Sequence, residues 1–479
     1  MSKRVLVFSL GPVFPEHVHG GSQKVLRDVA LYLGRRGHAV NIYCVERRDN
    51  AEPFALGPNV TVWPHLRFKE TFPSSYKAAP HDLSDIAVLL HSEIQKHDVF
   101  YIHDSGMNFS FLCEQRLPTV LSLRDFIYPE TLVGAFNFSR DRIIVNSDMT
   151  KDCVRCTVGR FLPGVTERIR VIPNGIDTSR FSRTRIETIC DLIGLGVEPR
   201  DHILLCPHRP ESRKGVFEAL DLVARLRNRH GMLGVKLLIP DYVDRPLNRD
   251  LEGHCTRIET SARELGVSEN VVLHRWVPHQ LMPEYYSLGS VTLCLGNFIE
   301  AFGPNVCLES LACGTPVVLS RVGAQRTTLP EGITPKVDYG DLDTVERVVM
   351  DLLLRRELVF DEHAAREFVE KHFAYEKMLS AYEEALCSVQ VLPGLERFPE
   401  RAASTHPRYS LAPWCCMTGR GVYHDYHYGY EQIDAAVRTL LAVRQSFSLQ
   451  DAGGFGVEQE DIRALLKRGI LVEELSGDG

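Results

Sequence analysis

Two cations, Arg209 and Lys214, flank a short loop within the segment PHRPESRKG. The segment follows an apolar run that is predicted to be a buried strand, and Gly215 opens the next predicted helix. Fixed cations beside a helix N-terminus stabilise the negative charge that builds up on a departing diphosphate. A solvated loop with ordinary surface charges explains the same positions equally well. The pattern therefore indicates either an anion-binding site or an ordinary surface loop.

Two carboxylates, Glu300 and Glu309, lie in the segment FIEAFGPNVCLESLACGTPVV. An aromatic-glycine turn, Phe302-Gly303, and the start of a predicted helix separate them. The turn can present backbone N–H groups, and carboxylates accept hydrogen bonds from the adjacent hydroxyls of a sugar. The alternative is a helix cap at Glu300 and a surface position for Glu309. Apolar residues flank both carboxylates, which disfavours that alternative.

Gly20 and Gly21 directly precede a predicted helix for which Ser22 is a plausible N-cap. Glycines allow a ligand to approach the backbone closely, and a helix N-terminus offers free N–H groups. Together these features suit a phosphate. An ordinary turn explains the glycine pair at least as well.

Alternating strands and helices must position these residues. RVLVFS, the glycine loop, the helix and VNIYCV form one βαβ unit of a parallel sheet. DVFYIHD, TVLSLRD and RIIVNS continue the series, and a second series starts at HILLCPHRP. The sequence predicts two successive Rossmann-like α/β domains at residues 1–178 and 179–389, the second with terminal helices. A linker rich in Pro, Arg and Glu follows at 390–407, and a small α+β unit occupies 408–479.

Composition excludes several classes of protein. The chain has 479 residues, too many for one ordinary core, and a formal net charge of -7, which disfavours nucleic acid binding. No apolar run approaches the roughly 18 residues of a membrane span, and the apolar start of the chain is interpreted as a buried strand. A cytoplasmic protein is expected. The 13 cysteines are scattered and are predicted to be free thiols.

The motifs in this order resemble the retaining nucleotide-sugar glycosyltransferases of family 4, which have the two-domain GT-B fold. The resemblance covers about residues 4–388. It is carried by VNS at 145–147, IPNGID at 172–177, Arg209 with Lys214-Gly215, and EAFG followed by LESLACGTPVV.

The resemblance implies a role for each candidate residue. Glu300 would hold hydroxyls of the donor sugar near the reacting carbon, and Glu309 would bind the ribose. The implied donor-binding set is Gly20, Gly21, Arg209, Lys214, Trp276, Val277, Phe302, Gly303, Asn305 and Glu309. Trp276 and Val277 would line the base pocket. A UDP-sugar is the expected donor, with front-face transfer that retains the anomeric configuration and requires neither a metal nor another cofactor.

Two departures from the family pattern affect the catalytic candidates, which are Glu300, His103, Arg124 and Asp125. Eight residues separate Glu300 and Glu309, whereas family members commonly have seven, and Gly303-Pro304-Asn305 is the expected site of the extra residue. Arg124-Asp125 occupies a strand end where many members have a histidine. Arg124 cannot act as a base and is expected to bind an anion or a hydroxyl. His103 either faces the acceptor or hydrogen bonds to backbone.

The C-terminal unit lies outside this resemblance. Its order of strands, helices and LLKRGILVEE resembles small winged-helix modules, including peptide-binding ones of the PqqD type. It is expected to hold an acceptor or a partner, to mediate dimerisation or to brace the main body, rather than to contact the donor. The acceptor, a small natural product, a glycan or a peptide, is left open. So are two alternatives: an epimerase or phosphorylase of the same fold, and a non-catalytic partner subunit.

Overall fold

The computed structural model describes residues 2–16, 18, 20–67, 79–104, 109–113, 117–138, 140–194, 201–241, 249–301, 303, 305–399 and 406–474. Two parallel α/β domains face each other, and a small third unit packs against both. The predicted fold class, a GT-B arrangement of two Rossmann-like domains, is confirmed.

The first domain is built on a sheet with strand order β3-β4-β2-β1-β5-β6-β7-β8 among the described residues. Every neighbouring pair is parallel except β3 and β4. The strands are β1 (Arg4–Ser9), β2 (Ala39–Val45), β3 (Phe54–Gly57), β4 (Val60–Leu66), β5 (Val99–His103), β6 (Thr119–Leu123), β7 (Arg142–Val145) and β8 (Ile169–Val171). Its helices are α1 (Gly21–Arg35), α2 (Pro80–Ile94), α3 (Pro129–Asn137) and α4 (Asp148–Thr157).

The strands β5, β6 and β7 coincide with the apolar runs identified in the sequence. Because each central strand is covered on both faces, its side chains are almost all buried, as the continuous apolar runs require. The sequence analysis assigned no element to the segment that forms β3, β4 and α2. Strands β4 and β3 extend the sheet beyond β2.

The second domain has a fully parallel sheet with order β11-β10-β9-β12-β13-β14. Its strands are β9 (His202–Leu205), β10 (Val235–Pro240), β11 (Val271–His274), β12 (Val291–Cys294), β13 (Val317–Ser320) and β14 (Lys336–Val337). The helices in this part of the chain are α5 (Ile189–Ile193), α6 (Val216–His230), α7 (Arg249–Glu264), α8 (Met282–Leu288), α9 (Asn305–Ala312), α10 (Gln325–Thr328), α11 (Leu342–Leu354), α12 (Arg356–Val359), α13 (Glu362–His372) and α14 (Tyr375–Cys387).

Helix α14 returns to the first domain. Its apolar face, with Met378, Leu379 and Tyr382, is part of the same core as Val5 and Val7 of β1. The sequence analysis placed this helix with the second domain, because the hydrophobic pattern shows that a face is buried without showing which core buries it. The chain therefore crosses the cleft twice.

The segment after α14 follows the surface of the first domain. The backbone N–H of Leu392 donates to Asp141 Oδ1 at 2.6 Å, and the rings of Phe398 and Phe161 lie 5.5 Å apart. This segment was predicted to be a linker. Residues 400–405 of that linker lie outside the described residues.

The C-terminal unit contains two small antiparallel sheets, ordered β19-β15-β20 and β16-β17-β18. Its elements are β15 (Arg408–Leu411), β16 (Cys415–Thr418), β17 (Gly421–His424), β18 (Gly429–Glu431), α15 (Ala435–Val443), β19 (Ser446–Ser448), α16 (Leu449–Gly453), α17 (Gln459–Lys467) and β20 (Leu471–Glu473). It has its own apolar cluster around Leu440, Phe447 and Ile470. The predicted α+β character is present.

Candidate functional site

A cavity of about 870 Å³ lies between the two α/β domains, where the carboxyl ends of their strands meet. Most residues singled out in the sequence line it together: Gly20, Gly21, Arg124, Asp125, Arg209, Lys214, Trp276, Val277, Glu300, Gly303, Asn305 and Glu309. Phe302 lies outside the described residues. Residues that are distant in sequence thus form one site because parallel strands end at the same edge.

Lys214 and Glu300 form an ion pair, with 2.5 Å between Nζ and Oε1. The Lys214 ammonium also lies over the Phe298 ring, 3.6 Å from its centre. Arg209 pairs with Glu211 at 3.1 Å. Glu300 therefore lies on the cavity wall beside the predicted diphosphate-binding cation, despite the extra residue between Glu300 and Glu309.

Two glycines position the loop that carries the cations. Gly215 has φ +90°, and a Cβ there would lie 2.4 Å from the Gly296 nitrogen. A Cβ on Gly296 would lie 2.0 Å from the Arg213 carbonyl oxygen. The backbones after β9 and β12 therefore touch, which only glycine permits. This contact explains how Lys214 and Glu300 come within hydrogen-bonding distance.

Glu309 lies on α9 with only 6% of its surface exposed. Its Oε2 accepts a hydrogen bond from the Tyr286 hydroxyl at 2.8 Å. Burial raises the pKa of Glu309, and the nearby positive charge of Lys24 opposes this shift. A carboxylate held in this way has a remaining oxygen with which to bind a hydroxyl.

The opposite wall contains a pair of acidic side chains, Asp104 and Asp125, at the ends of β5 and β6. Asp104 Oδ1 accepts the backbone N–H of Arg124 at 3.2 Å. Burial raises the pKa of Asp104, and burial together with the Asp104 charge raises that of Asp125. Ionisation of both carboxyl groups in this buried wall is therefore costly.

Arg124 is oriented by the domain around it. Its guanidinium donates to the hydroxyl of Tyr382 at 3.0 Å and to Asn174 Oδ1. Among the described residues, the buried Nε of Arg124 and the buried Oδ1 of Asn146 have no hydrogen-bond partner, and both residues line the cavity. Unpaired buried polar atoms are costly, so this wall favours a polar ligand.

His103 is fully buried behind this wall. Its Nε2 lies 3.1 Å from the Ser22 carbonyl oxygen and 3.0 Å from the Ser22 hydroxyl, and its Nδ1 lies 2.7 Å from the Tyr101 hydroxyl. Burial, with the nearby Arg124 charge, lowers the pKa of His103 to about 3. The backbone-bonded alternative therefore describes this histidine, which is not among the residues that line the cavity.

Helix α1 begins at Gly21 and its first turn lines the cavity. No described side chain caps this end, so its free N–H groups face the site. A Cβ on Gly21 would lie 3.2 Å from Asn305 Nδ2 of the second domain. The glycines thus lie where the two walls approach each other.

Hydrogen bonds join the first domain directly to Ala301 and Asn305 of the second. Asn174 Nδ2 donates to Asn305 Oδ1 at 2.6 Å. The hydroxyls of Ser147 and Thr150, at the start of α4, donate to the carbonyl of Ala301. Ser147 and Asn174 belong to the VNS and IPNGID motifs, so these motifs hold the segment after Glu300 against the first domain.

The sequence analysis missed several residues of the site. Asp104 follows β5 directly and so had the same strand-end signal as Asp125. Lys24 had no signal beyond its position on a predicted helix, and Tyr286 lies on α8, which the sequence analysis did not predict. Ser22 was expected to be the N-cap of α1, but that position is taken by Gly20, and Ser22 lies in the first turn. Among the described residues, no group of three His, Cys, Asp or Glu could hold a metal ion, and no helix is long and apolar enough to cross a membrane.

Comparison with known proteins identifies two family matches. Residues 19–180 match the family described as "Glycosyltransferase Family 4", and residues 194–355 match "Glycosyl transferases group 1". A D-inositol 3-phosphate glycosyltransferase of Nocardiopsis dassonvillei is 30% identical over 66% of this chain and 77% of its own length.

A GDP-mannose-dependent phosphatidylinositol monomannoside mannosyltransferase of Mycolicibacterium smegmatis is 31% identical over 44% of this chain. That match spans 54% of the relative's length, and the match to the Acidothermus cellulolyticus relative, a D-inositol 3-phosphate glycosyltransferase, spans 36%. The chain thus matches about half or less of these two relatives.

Solved structures agree in fold. HepE of Anabaena, solved in complex with UDP and glucose, superposes with a TM-score of 0.63 over 81% of this chain and 100% of its own, at 17% identity. Sucrose-phosphate synthase of Thermosynechococcus elongatus gives 0.64 over 80% of this chain and 98% of its own, also at 17% identity. With two facing Rossmann-like domains, both family matches in order and a relative matched over most of its length, the chain belongs to glycosyltransferase family 4, with the GT-B fold.

Proposed function

We propose that this protein transfers a sugar from a nucleotide-sugar donor to a hydroxyl group of an acceptor, with retention of the anomeric configuration. The observation that carries the proposal is the placement of Lys214, Glu300 and Glu309 on one cavity wall, facing the polar wall of Asp104 and Asp125. A cytoplasmic location belongs to the same proposal.

The donor occupies the wall of the second domain. Lys214 and Arg209 bind the diphosphate together with the N-terminus of α1, so Lys214 exchanges its contact with Glu300 for the phosphate charge. Glu300 then accepts hydrogen bonds from sugar hydroxyls, and Glu309 binds the ribose. The bond between the anomeric carbon and the diphosphate breaks, a bond to the acceptor oxygen forms, and the acceptor's proton moves to the departing phosphate oxygen. Fixed cations favour this step because they lie where negative charge builds up.

The nucleobase lies against Trp276 and Val277 of the segment after β11. The sequence favours a UDP-sugar and HepE was solved with UDP, whereas a relative's name specifies GDP-mannose. The proposed donor is therefore a UDP-sugar or a GDP-sugar, and measurements of UDP and GDP binding distinguish the two.

The acceptor occupies the wall of the first domain. The carboxyl oxygens of Asp104 and Asp125 can accept hydrogen bonds from a hydroxyl. The unpaired Nε of Arg124 and Oδ1 of Asn146 offer a donor and a further acceptor. The names of the relatives specify acceptors built on inositol, a compound rich in hydroxyls, which agrees with this chemistry.

Isothermal titration calorimetry with UDP and GDP tests donor binding first, with Glu309→Ala as the variant that loses affinity. UDP-glucose or GDP-mannose is then incubated with and without inositol 3-phosphate, and the anomeric configuration of any product is read by NMR. Consumption of the donor without an acceptor supports the epimerase alternative. Absence of nucleotide binding contradicts the proposal and favours a partner subunit.

A further inference from the structure

A turn of the C-terminal unit lies between the two α/β domains. This bridging turn, residues 424–428, joins β17 to β18 and contains a short 3-10 helix, Asp425–His427. It lies beyond residue 355, where the second family match ends. Its side chains nevertheless contact segments that supply residues to the cavity.

Asp425 reaches into the second domain and has no exposed surface. Its two oxygens accept hydrogen bonds from both terminal nitrogens of Arg326, each at 2.8 Å, and Oδ1 also accepts the N–H of Gly323 at 3.2 Å. The next residue, Ala324, donates its N–H to the carbonyl of Glu300 at 2.9 Å. Asp425 therefore holds the loop on which the Glu300 backbone rests.

Gly323 shows how closely this loop approaches Glu300. Its φ is +56°, and a Cβ at this position would lie 2.8 Å from the carbonyl oxygen of Glu300. Such a contact leaves no room for adjustment, because both neighbours are backbone atoms. A shift of the loop would consequently shift Glu300.

The next residue of the turn reaches the first domain. The Tyr426 hydroxyl donates to the carbonyl of Phe126 at 2.7 Å, and Phe126 directly follows Asp125. Tyr428 lies under the guanidinium of Arg213, 3.8 Å from the ring centre, and Arg213 directly precedes Lys214. The turn thus contacts the segments that carry Asp125, Lys214 and Glu300.

We propose that the bridging turn positions the two walls of the transfer site relative to each other, with Asp425 orienting Glu300 and Tyr426 orienting the Asp125 segment. This role rests on the proposed function, and it is not a consequence of stability alone. A buried ion pair is a poor source of stability, since an apolar pair of similar size often serves as well or better. What Asp425 and Arg326 supply is a defined geometry behind Glu300. The C-terminal unit therefore supports the donor site, which corresponds to the bracing role among those that the sequence left open.

Tyr426→Phe is the first test, because it removes one hydroxyl and keeps the ring. Tyr430→Phe is the matched control: its hydroxyl donates to the Tyr339 carbonyl at 3.0 Å, in the same unit and to the second domain, but Tyr339 does not line the cavity. With the donor that the wild type uses, kcat is expected to fall about tenfold or more in Tyr426→Phe, with little change in KM and in the affinity for UDP or GDP. The control is expected to keep the wild-type kcat. Equal kcat values in the two variants would overturn the role of Tyr426.

Asp425→Asn leaves the buried Arg326 without its counter-charge and can fail to fold, so the double variant Asp425→Leu/Arg326→Met accompanies it. The double variant is expected to keep a cooperative thermal transition and to lose kcat by a similar or larger factor. A double variant with wild-type kcat would overturn the role of Asp425.

Hydrogen exchange measured by mass spectrometry separates this inference from the proposed function. Peptides that contain residues 299–301 and 322–326 are expected to exchange faster in the double variant, and those around Phe126 in Tyr426→Phe. If the wild type transfers no sugar, the proposed function fails, whereas unchanged exchange in these peptides overturns the positioning role whatever the activity is.

Discussion

The two walls of the cavity hold their charges in different ways. On the second domain, Lys214 and Glu300 neutralise each other in a contact that a ligand can exchange, and their side chains keep 11% and 20% of their surface exposed. On the first domain, burial raises the pKa of both Asp104 and Asp125, and the Asp104 charge adds to the shift of Asp125. One wall is thus prepared for a charged ligand and the other for a neutral polar one.

The two walls also differ in how closely their residues follow the family pattern. The residues of the second wall follow the family pattern, apart from one additional residue between Glu300 and Glu309. The first wall has Arg124-Asp125 where a histidine is common, and His103 is buried in contact with Ser22 and Tyr101. The donor half is therefore the part to which the resemblance can be applied residue by residue, whereas the acceptor half has to be understood from its own contacts.

The largest expected effect is at Lys214. Lys214→Ala removes a positive charge held beside the departing diphosphate, so kcat/KM is expected to fall about a hundredfold, or roughly 3 kcal/mol of transition-state stabilisation. Lys236→Ala is the control, because its ammonium contacts the Glu269 carbonyl on the exposed surface. Arg209→Ala is expected to act in the same direction as Lys214→Ala. Near-normal rates in both variants would remove the diphosphate site.

The next largest effects are expected from substitutions of Glu300 and Glu309, which should change different kinetic constants. In the proposed site Glu300 faces the reacting sugar, so Glu300→Gln is expected to lower kcat about tenfold or more. Glu309 is proposed to contact ribose equally in the ground state and the transition state, so Glu309→Ala is expected mainly to raise KM. Steady-state kinetics with varied donor concentration separates the two effects. Normal kcat in Glu300→Gln would show that the extra residue has displaced this carboxylate from the sugar.

A smaller effect is expected from the carboxyl pair of the first wall. The pKa of Asp125 in the folded protein is raised from its ordinary value of 3.8, so the folded state becomes less stable relative to the unfolded state as the pH rises through the folded value. Asp125→Asn cannot ionise and keeps an oxygen that accepts the N–H groups of Ile127 and Tyr128. The free energy of unfolding of the variant is therefore expected to fall less with rising pH than that of the wild type.

Urea unfolding at a series of pH values from about 4 to 9 measures this difference. Asp141→Asn is the comparison variant, since its buried carboxylate accepts backbone N–H groups from Thr119 and Leu392 outside the cavity. If the free energies of unfolding of the wild type and Asp125→Asn changed equally with pH, the pKa of Asp125 would not be raised in the folded protein.

The smallest expected effect is that of metal removal. Protein cations and the N-terminus of α1 take the diphosphate charge in the proposed site, so activity is expected to survive excess EDTA. The assay compares initial rates before and after chelation, then after added magnesium or manganese. Loss of activity that magnesium or manganese restores would place a metal in the donor wall.

The sequence alone determined the fold class and most of the donor wall. Apolar runs of strand length alternating with amphipathic helices require parallel sheets, and polar residues at strand ends must then meet at one edge. Together with the resemblance to family 4, this places Arg209, Lys214, Glu300 and Glu309 in one site. The same strand-end position applies to Asp104, which directly follows His103 at the end of β5.

Only the tertiary structure decided what each side chain faces. The position of His103 at a strand end could not show that its side chain contacts Ser22 and Tyr101, since a residue there can face either the cleft or the protein interior. The hydrophobic pattern of α14 could not show that its apolar face packs on the first domain, because such a pattern predicts that a face is buried but not which core it packs against. Asp425 lies 125 residues beyond Glu300 in the chain, and only the packing of the C-terminal unit between the domains brings its carboxylate to the loop behind that residue.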